Sequence, residues 1–130
     1  MDYNRLKALP LFEGVSDEDL KNIAPFVSEV SVSEGKHLVD EGDYSYQLMA
    51  IEEGEVEVLR GGEKIADLGP GDFFGEAGLL EKDRRNATVV AKTPVRLITL
   101  TSWDVKRLEK QIPEAAERIK QTVEARKPEA

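Results

Sequence analysis

Hydrophobic positions along the chain change period twice, near Phe26 and near Thr101. Before Phe26 they cluster as short helical pieces. Leu6, Leu9, Pro10, Leu11 and Phe12 form one apolar turn, and Leu20, Ile23 and Ala24 follow Ser16-Asp17-Glu18-Asp19. Those four polar residues supply an N-cap and first-turn acids, and Pro25 is expected to stop the helix they start. From residue 27 to 101 the pattern is period two. Val30/Val32, Leu48 with Met49-Ala50-Ile51, Val56/Val58 between Glu55 and Glu57, Ile65 to Leu68, Val89/Val90 and Val95 to Leu100 read as short strands. From Ser102 the period is helical again. Ser102 is expected to cap a helix running from Trp103 to Lys110, with Trp103 as a core or cap-packing residue. Pro113 opens a second helix with Ala116, Ile119, Thr122 and Val123 on one side, and Pro128 ends it.

Nine of the ten glycines fall in residues 35–78, between the strand-like stretches, a spacing of turns that predicts a sandwich, jelly roll or barrel. Gly61-Gly62 is the most hairpin-like of these turns. The expected fold is therefore mainly β: an eight-stranded or similar jelly roll with helices at both ends. At 130 residues the chain is one domain's worth. Its parts are a helical lead-in (1–26), a β-roll (27–101) and a helical tail (102–128).

Composition removes several function classes. The net charge of -8 opposes the phosphate attraction that nucleic-acid binding needs, so no nucleic-acid partner is expected. With no Cys and a single His37, thiolate metal sites, thiol catalysis and His-rich metal enzymes of the cupin type are excluded, and no metal, no cofactor and no enzymatic turnover are expected. Met1 to Arg5 lacks the apolar core of a signal peptide, and no stretch approaches the roughly 18 apolar residues of a membrane span, which points to a cytoplasmic chain away from the membrane. The charge is uneven. Residues 1–101 hold 11 basic and 20 acidic side chains, whereas residues 102–130 hold 7 and 6. Within the acidic body, Lys82 to Thr101 reverses sign, with Lys82, Arg84, Arg85, Lys92 and Arg96 against Asp83 alone. A small anion is expected to bind near there.

The stretch of residues 74–89 carries the candidate chemistry. After Phe73-Phe74, the amides of Gly75, Glu76 and Ala77 can point at an anion at the start of a short helix. Arg85, nine residues beyond Glu76, offers a planar fork suited to two phosphate oxygens. Glu76 would repel a bare phosphate but would accept a hydrogen bond from a nearby hydroxyl, so together these residues describe a sugar phosphate. The plainer alternatives are a solvated ion pair of Arg85 with Glu76 or Asp83, and Glu76 as a first-turn helix acid.

Phe-Gly-Glu-x-Ala/Gly-Leu followed by Arg-x-Ala-Thr/Ser-Val resembles the phosphate-binding cassette of cyclic nucleotide-binding domains, as in protein kinase A regulatory subunits, cyclic-nucleotide-gated channels and the catabolite activator protein. The resemblance extends to the helical stretch Leu6 to Leu20, Gly42-Asp43, Glu53-Gly54, Gly69-Pro70-Gly71-Asp72 and the helical tail. It implies the β-roll of that family, with Glu76 on the ribose 2′-hydroxyl and Arg85 on the cyclic phosphate. Phe74, Gly75, Ala77, Asn86 and Ala87 would line the site, Val58 and Leu68 would wall ribose and base, and the tail would form a movable lid with Thr122 or Arg126 near the purine. Asn86 departs from the Ala, Ser or Thr usual in the family, at a position that influences the choice of base; cAMP is expected to be favoured over cGMP.

The implied function is a regulatory sensor that binds a cyclic nucleotide and signals by moving its C-terminal helices. Its output would pass through a homodimer formed by the stripe Ile112, Ala116, Ile119 and Val123, or through a separate effector protein. The competing readings are a ligand-free β-roll acting through protein contacts, and a regulatory domain belonging to a larger transcription factor, channel or enzyme.

Overall fold

The computed structural model describes residues 2–42, 47–74 and 87–126. Two short helices, α1 (Tyr3–Lys7) and α2 (Asp17–Ile23), are each followed by a 3-10 turn, Pro10–Phe12 and Ala24–Phe26. Ser16 caps α2 by accepting from the Asp19 amide, and Pro25 falls within the 3-10 turn that ends it. Eight strands come next: β1 (Ser28–Val32), β2 (His37–Val39), β3 (Gln47–Glu53), β4 (Val56–Arg60), β5 (Glu63–Leu68), β6 (Phe73–Phe74), β7 (Thr88–Ala91) and β8 (Val95–Thr101). Helices α3 (Ser102–Gln111) and α4 (Pro113–Arg126) complete the described chain.

The strands form two antiparallel four-stranded sheets, ordered β1-β8-β3-β6 and β2-β7-β4-β5. The first sheet separates two cores. Leu48, Ala50, Ile98 and Leu100 face the helices, where they meet Leu6, Phe12, Leu20, Ile23, Val105, Leu108 and Ile112. Ile51, Val95 and Leu97 face the second sheet, where they meet Val56, Phe74, Val89 and Ala91. This is why Met49-Ala50-Ile51 and Val95 to Leu100 are continuous apolar runs: a strand covered on both faces has no solvent side to mark with polar residues.

Two expectations about α3 are corrected. Its cap is Thr101, not Ser102. Thr101 accepts from the Asp104 amide while the Asp104 carboxylate accepts from the Thr101 amide at 2.9 Å, a reciprocal capping box. Trp103 is not at the core but 75% exposed, because the buried positions of α3 are Val105 and Leu108, on the opposite side of the helix. The Pro113 break is as expected: Ile112, at φ -137 and ψ 72, leaves helical geometry just before it. Ile112 and Ala116 of the supposed dimer stripe are buried in this chain's own fold, which removes half of that surface from any partner.

Beside the helical core lies an ionic cluster. Arg5 of α1 donates to Glu29 of β1 and Glu52 of β3, and Arg96 of β8 lies 3.5 Å from Glu52 and 3.2 Å from Glu53. The hydrogen bonds from Arg5 hold the carboxyls of Glu29 and Glu52 below the usual glutamate range. A carboxylate depressed in the fold contributes stability above its unfolded pKa and loses it as pH falls through its folded value. Acid unfolding should therefore be steepened by this cluster, and Arg5→Gln should flatten the acid limb of a plot of unfolding midpoint against pH. A variant with the parent's slope would assign the acid sensitivity to other carboxylates.

Candidate functional site

The described part of the site lies where the second core meets the two ends of the cassette. Before it, Gly69 to Asp72 makes a turn closed by the Asp72 carboxylate on the Gly69 amide at 2.9 Å, and its backbone exchanges hydrogen bonds with Ile51. The turn delivers β6 to the free edge of β3, with Met49 opposite Phe74 and Ala50 opposite Phe73. Neighbouring strand residues point to opposite faces. Phe73 therefore packs against the helical core, while Phe74, 4% exposed, enters the core between the sheets.

After the cassette, Ala87 is buried and leads into β7, in the interior of the second sheet between β2 and β4. The cassette thus joins an edge strand of one sheet to an inner strand of the other. Val58 stands opposite Val89 on β7 and Ala66 on β5, and Leu68 stands opposite Val56. Both are half-buried against the cluster that holds Phe74 and Val89. The β4–β5 connection is the expected hairpin, with Arg60 opposite Glu63 and both Gly61 and Gly62 at positive φ.

Phe74, Val58 and Leu68 are therefore brought to one core cluster by the fold, and Ala87 is buried just before β7. Gly75, Glu76, Ala77, Arg85 and Asn86 lie outside the described residues, as do Arg84 and the rest of residues 75–86. Thr122 and Arg126 belong to α4 by their backbone, and their side chains are outside what is described. Among the described residues no group of three or more His, Cys, Asp or Glu side chains could hold a metal ion, and no helix is long and apolar enough to cross a membrane.

Three features here carried no readable signal in the sequence. Glu41 ties two loops together: its amide donates to the Thr88 hydroxyl at 2.9 Å, and its carboxylate accepts from the Gly61 amide at 3.0 Å. Gly71 lies so close to Pro10 that an added Cβ would be 3.1 Å from the proline ring. On the far side of that same 3-10 turn, Arg118 of α4 donates to the carbonyl oxygens of Pro10 at 3.2 Å and Leu11 at 2.7 Å, and also to that of Glu13. Backbone carbonyls carry no residue-type signal, so a residue pattern does not reveal these contacts. The turn before the cassette, the N-terminal 3-10 turn and the tail helix are therefore in sequential contact.

Comparison with known proteins gives a consistent result. The sequence model of one family, described as the cyclic nucleotide-binding domain, matches residues 29–111. The chain is 32% identical over 98 residues, 72% of its length, to a cGMP-dependent protein kinase of Eimeria tenella, and 34% identical over 104 residues, 79% of its length, to a cAMP-dependent protein kinase regulatory subunit of Schizosaccharomyces pombe. It spans only 10% and 25% of those two proteins. Among solved structures it superposes on the catabolite activator protein of Thermus thermophilus with a TM-score of 0.82 and 30% identity, covering 92% of this chain and 59% of that one.

Proposed function

The chain belongs to the cyclic nucleotide-binding domain family, and from that premise we propose that it is a sensor in which cAMP, in preference to cGMP, occupies the cassette and shifts the C-terminal helices. The observation that carries this reading is the position of Phe73-Phe74, one ring in each core, immediately before the cassette. A ligand that re-sets the cassette would pull on both cores, and through Gly71, Pro10 and Arg118 on α4.

In this reading Arg85 and the amides of Gly75, Glu76 and Ala77 hold the cyclic phosphate, and the Glu76 carboxylate accepts from the ribose 2′-hydroxyl. Phe74, Asn86 and Ala87 line the pocket, Val58 and Leu68 wall the ribose and base, and Thr122 or Arg126 approaches the purine. The protein binds its ligand without turning it over and takes no cofactor, since one His and no Cys leave few groups to activate water. Output passes through a partner or a second copy.

A thermal-shift panel of cAMP, cGMP and linear AMP tests the ligand. A ligand selective for the folded state adds about 2.7 kcal/mol at one hundred times its Kd, so the expected order of shifts is cAMP, then cGMP, with linear AMP near zero. No shift with any of the three would favour a ligand-free interaction module. The lid is tested separately by amide exchange. Saturating cAMP should change protection across residues 113–126, and Arg118→Ala should raise exchange there in the free protein by releasing the helix from the 3-10 turn. Exchange in α4 indifferent to both would remove the tail from the mechanism.

A further inference from the structure

One face of α3 is basic and aromatic in a chain that is acidic as a whole. Trp103, Lys106, Arg107 and Lys110 recur at helical spacing and fall within about 100° of arc at ~100° per residue. Trp103 is 75% exposed, with the Lys106 ammonium 5.1 Å from its ring centroid. The Arg107 guanidinium stacks 3.6 Å from the centroid of Phe26, itself 49% exposed, so the last turn before β1 extends the same surface.

Two cations of this face, Lys106 and Arg107, meet aromatic rings rather than acids. Arg5, Lys7, Lys64, Lys92 and Arg96 each reach a carboxylate, whereas Lys21, Lys36 and Lys120 stand apart from one another in the chain without an ion pair among the described residues. Among the described residues Lys106, Arg107 and Lys110 form no such pair, although the whole chain carries eight more negative charges than positive ones. Of the two acids on the helix, Asp104 is committed to the capping box, and Glu109 forms no ion pair with these cations. Arg107 also keeps one guanidinium nitrogen, Nη1, buried with no hydrogen-bond acceptor, an arrangement that stacking on Phe26 leaves unsatisfied.

We infer that the surface made by Trp103, Lys106, Arg107, Lys110 and Phe26 docks an acidic segment of a partner protein. Its carboxylates meet the Lys106 and Lys110 ammonium groups and the accessible side of the Arg107 guanidinium, and an apolar side chain of the segment covers the Trp103 ring. Charge complementarity selects this occupant. Anionic membranes are held by clusters of about four to eight cations, more than this face offers, and the acidic body would be repelled from lipid and nucleic acid alike. A two-fold dimer on this face would set the cations against themselves. None of these residues belongs to the candidate nucleotide site, so this inference and the nucleotide reading fail independently.

Trp103 is the only tryptophan, which makes it its own reporter. The intact chain is titrated with a glutamate-rich peptide bearing one central phenylalanine, and with the same peptide carrying glutamine for glutamate. The expected result is a saturable blue shift of Trp103 emission with the acidic peptide only, weakened by added salt. Lys106→Glu with Lys110→Glu should weaken binding by about tenfold or more, with the thermal midpoint and the nucleotide response unchanged. An absent shift, an equal response to the glutamine peptide, or a shift seen only with phosphatidylserine vesicles, with an oligonucleotide or on raising the protein concentration would each overturn the proposal.

Discussion

Arg85→Ala is expected to lower cyclic nucleotide affinity by about 30-fold to several thousand-fold, while Arg84→Ala changes it by less than about fivefold. The asymmetry follows from the assigned roles. Removing the phosphate fork deletes charge-assisted hydrogen bonds of about 1.5 to 3 kcal/mol each and strands a desolvated phosphate, a loss of roughly 2 to 5 kcal/mol. A solvated neighbour contributes only a screened term of about 1 kcal/mol or less. Lys at position 85 should rescue little, since a point charge does not reproduce a two-pronged contact. Calorimetric titration of the three variants with cAMP reads the difference. Equal losses at both arginines, or full activity with Arg85→Lys, would put the binding on a diffuse basic patch. Phe74 and Ala87, both buried, anchor the two ends of the motif.

Gly54→Ala should be the most damaging small substitution in the β-roll, at about 2 to 5 kcal/mol of folding stability. Gly54 joins β3 to β4 at φ +92, where an L side chain costs roughly 1 to 2 kcal/mol. An added Cβ would also lie 2.3 Å from the Pro94 carbonyl oxygen and 2.9 Å from the Val95 Cα. Both are backbone atoms and cannot rotate away. The turn they belong to is held in place, with the Lys92 amide donating to the Glu55 carbonyl and the Glu55 amide to the Thr93 hydroxyl. Relief would therefore have to come from displacing the β7–β8 connection. Gly61→Ala is the control: φ is +60, nothing lies within 4 Å of the added Cβ, and the loss should stay near 1 kcal/mol. Urea unfolding of the two variants decides the matter, and a Gly54→Ala protein as stable as Gly61→Ala would mean that the turn yields at little cost.

The order of elements, the Gly61-Gly62 hairpin, the Ser16 cap and the Pro113 break were all legible in the sequence, because each depends on neighbours in the chain: periodicity, turn chemistry and caps act over a few residues. The family was legible for the same reason, since the cassette is a contiguous motif and its residues stand at fixed short spacing. What lay beyond the sequence depended on residues far apart in the chain. Trp103 has the composition of a core residue, and only the direction in which α3 presents Val105 and Leu108 to the sheet put it outside. The fold sets Arg118 against three backbone carbonyls more than a hundred residues away in the chain. Arg5, Glu29, Glu52 and Arg96 are four scattered charges until α1, β1, β3 and β8 converge. Local rules determined which elements form and which motif they carry. Tertiary structure decided which faces are buried and which charges are paired.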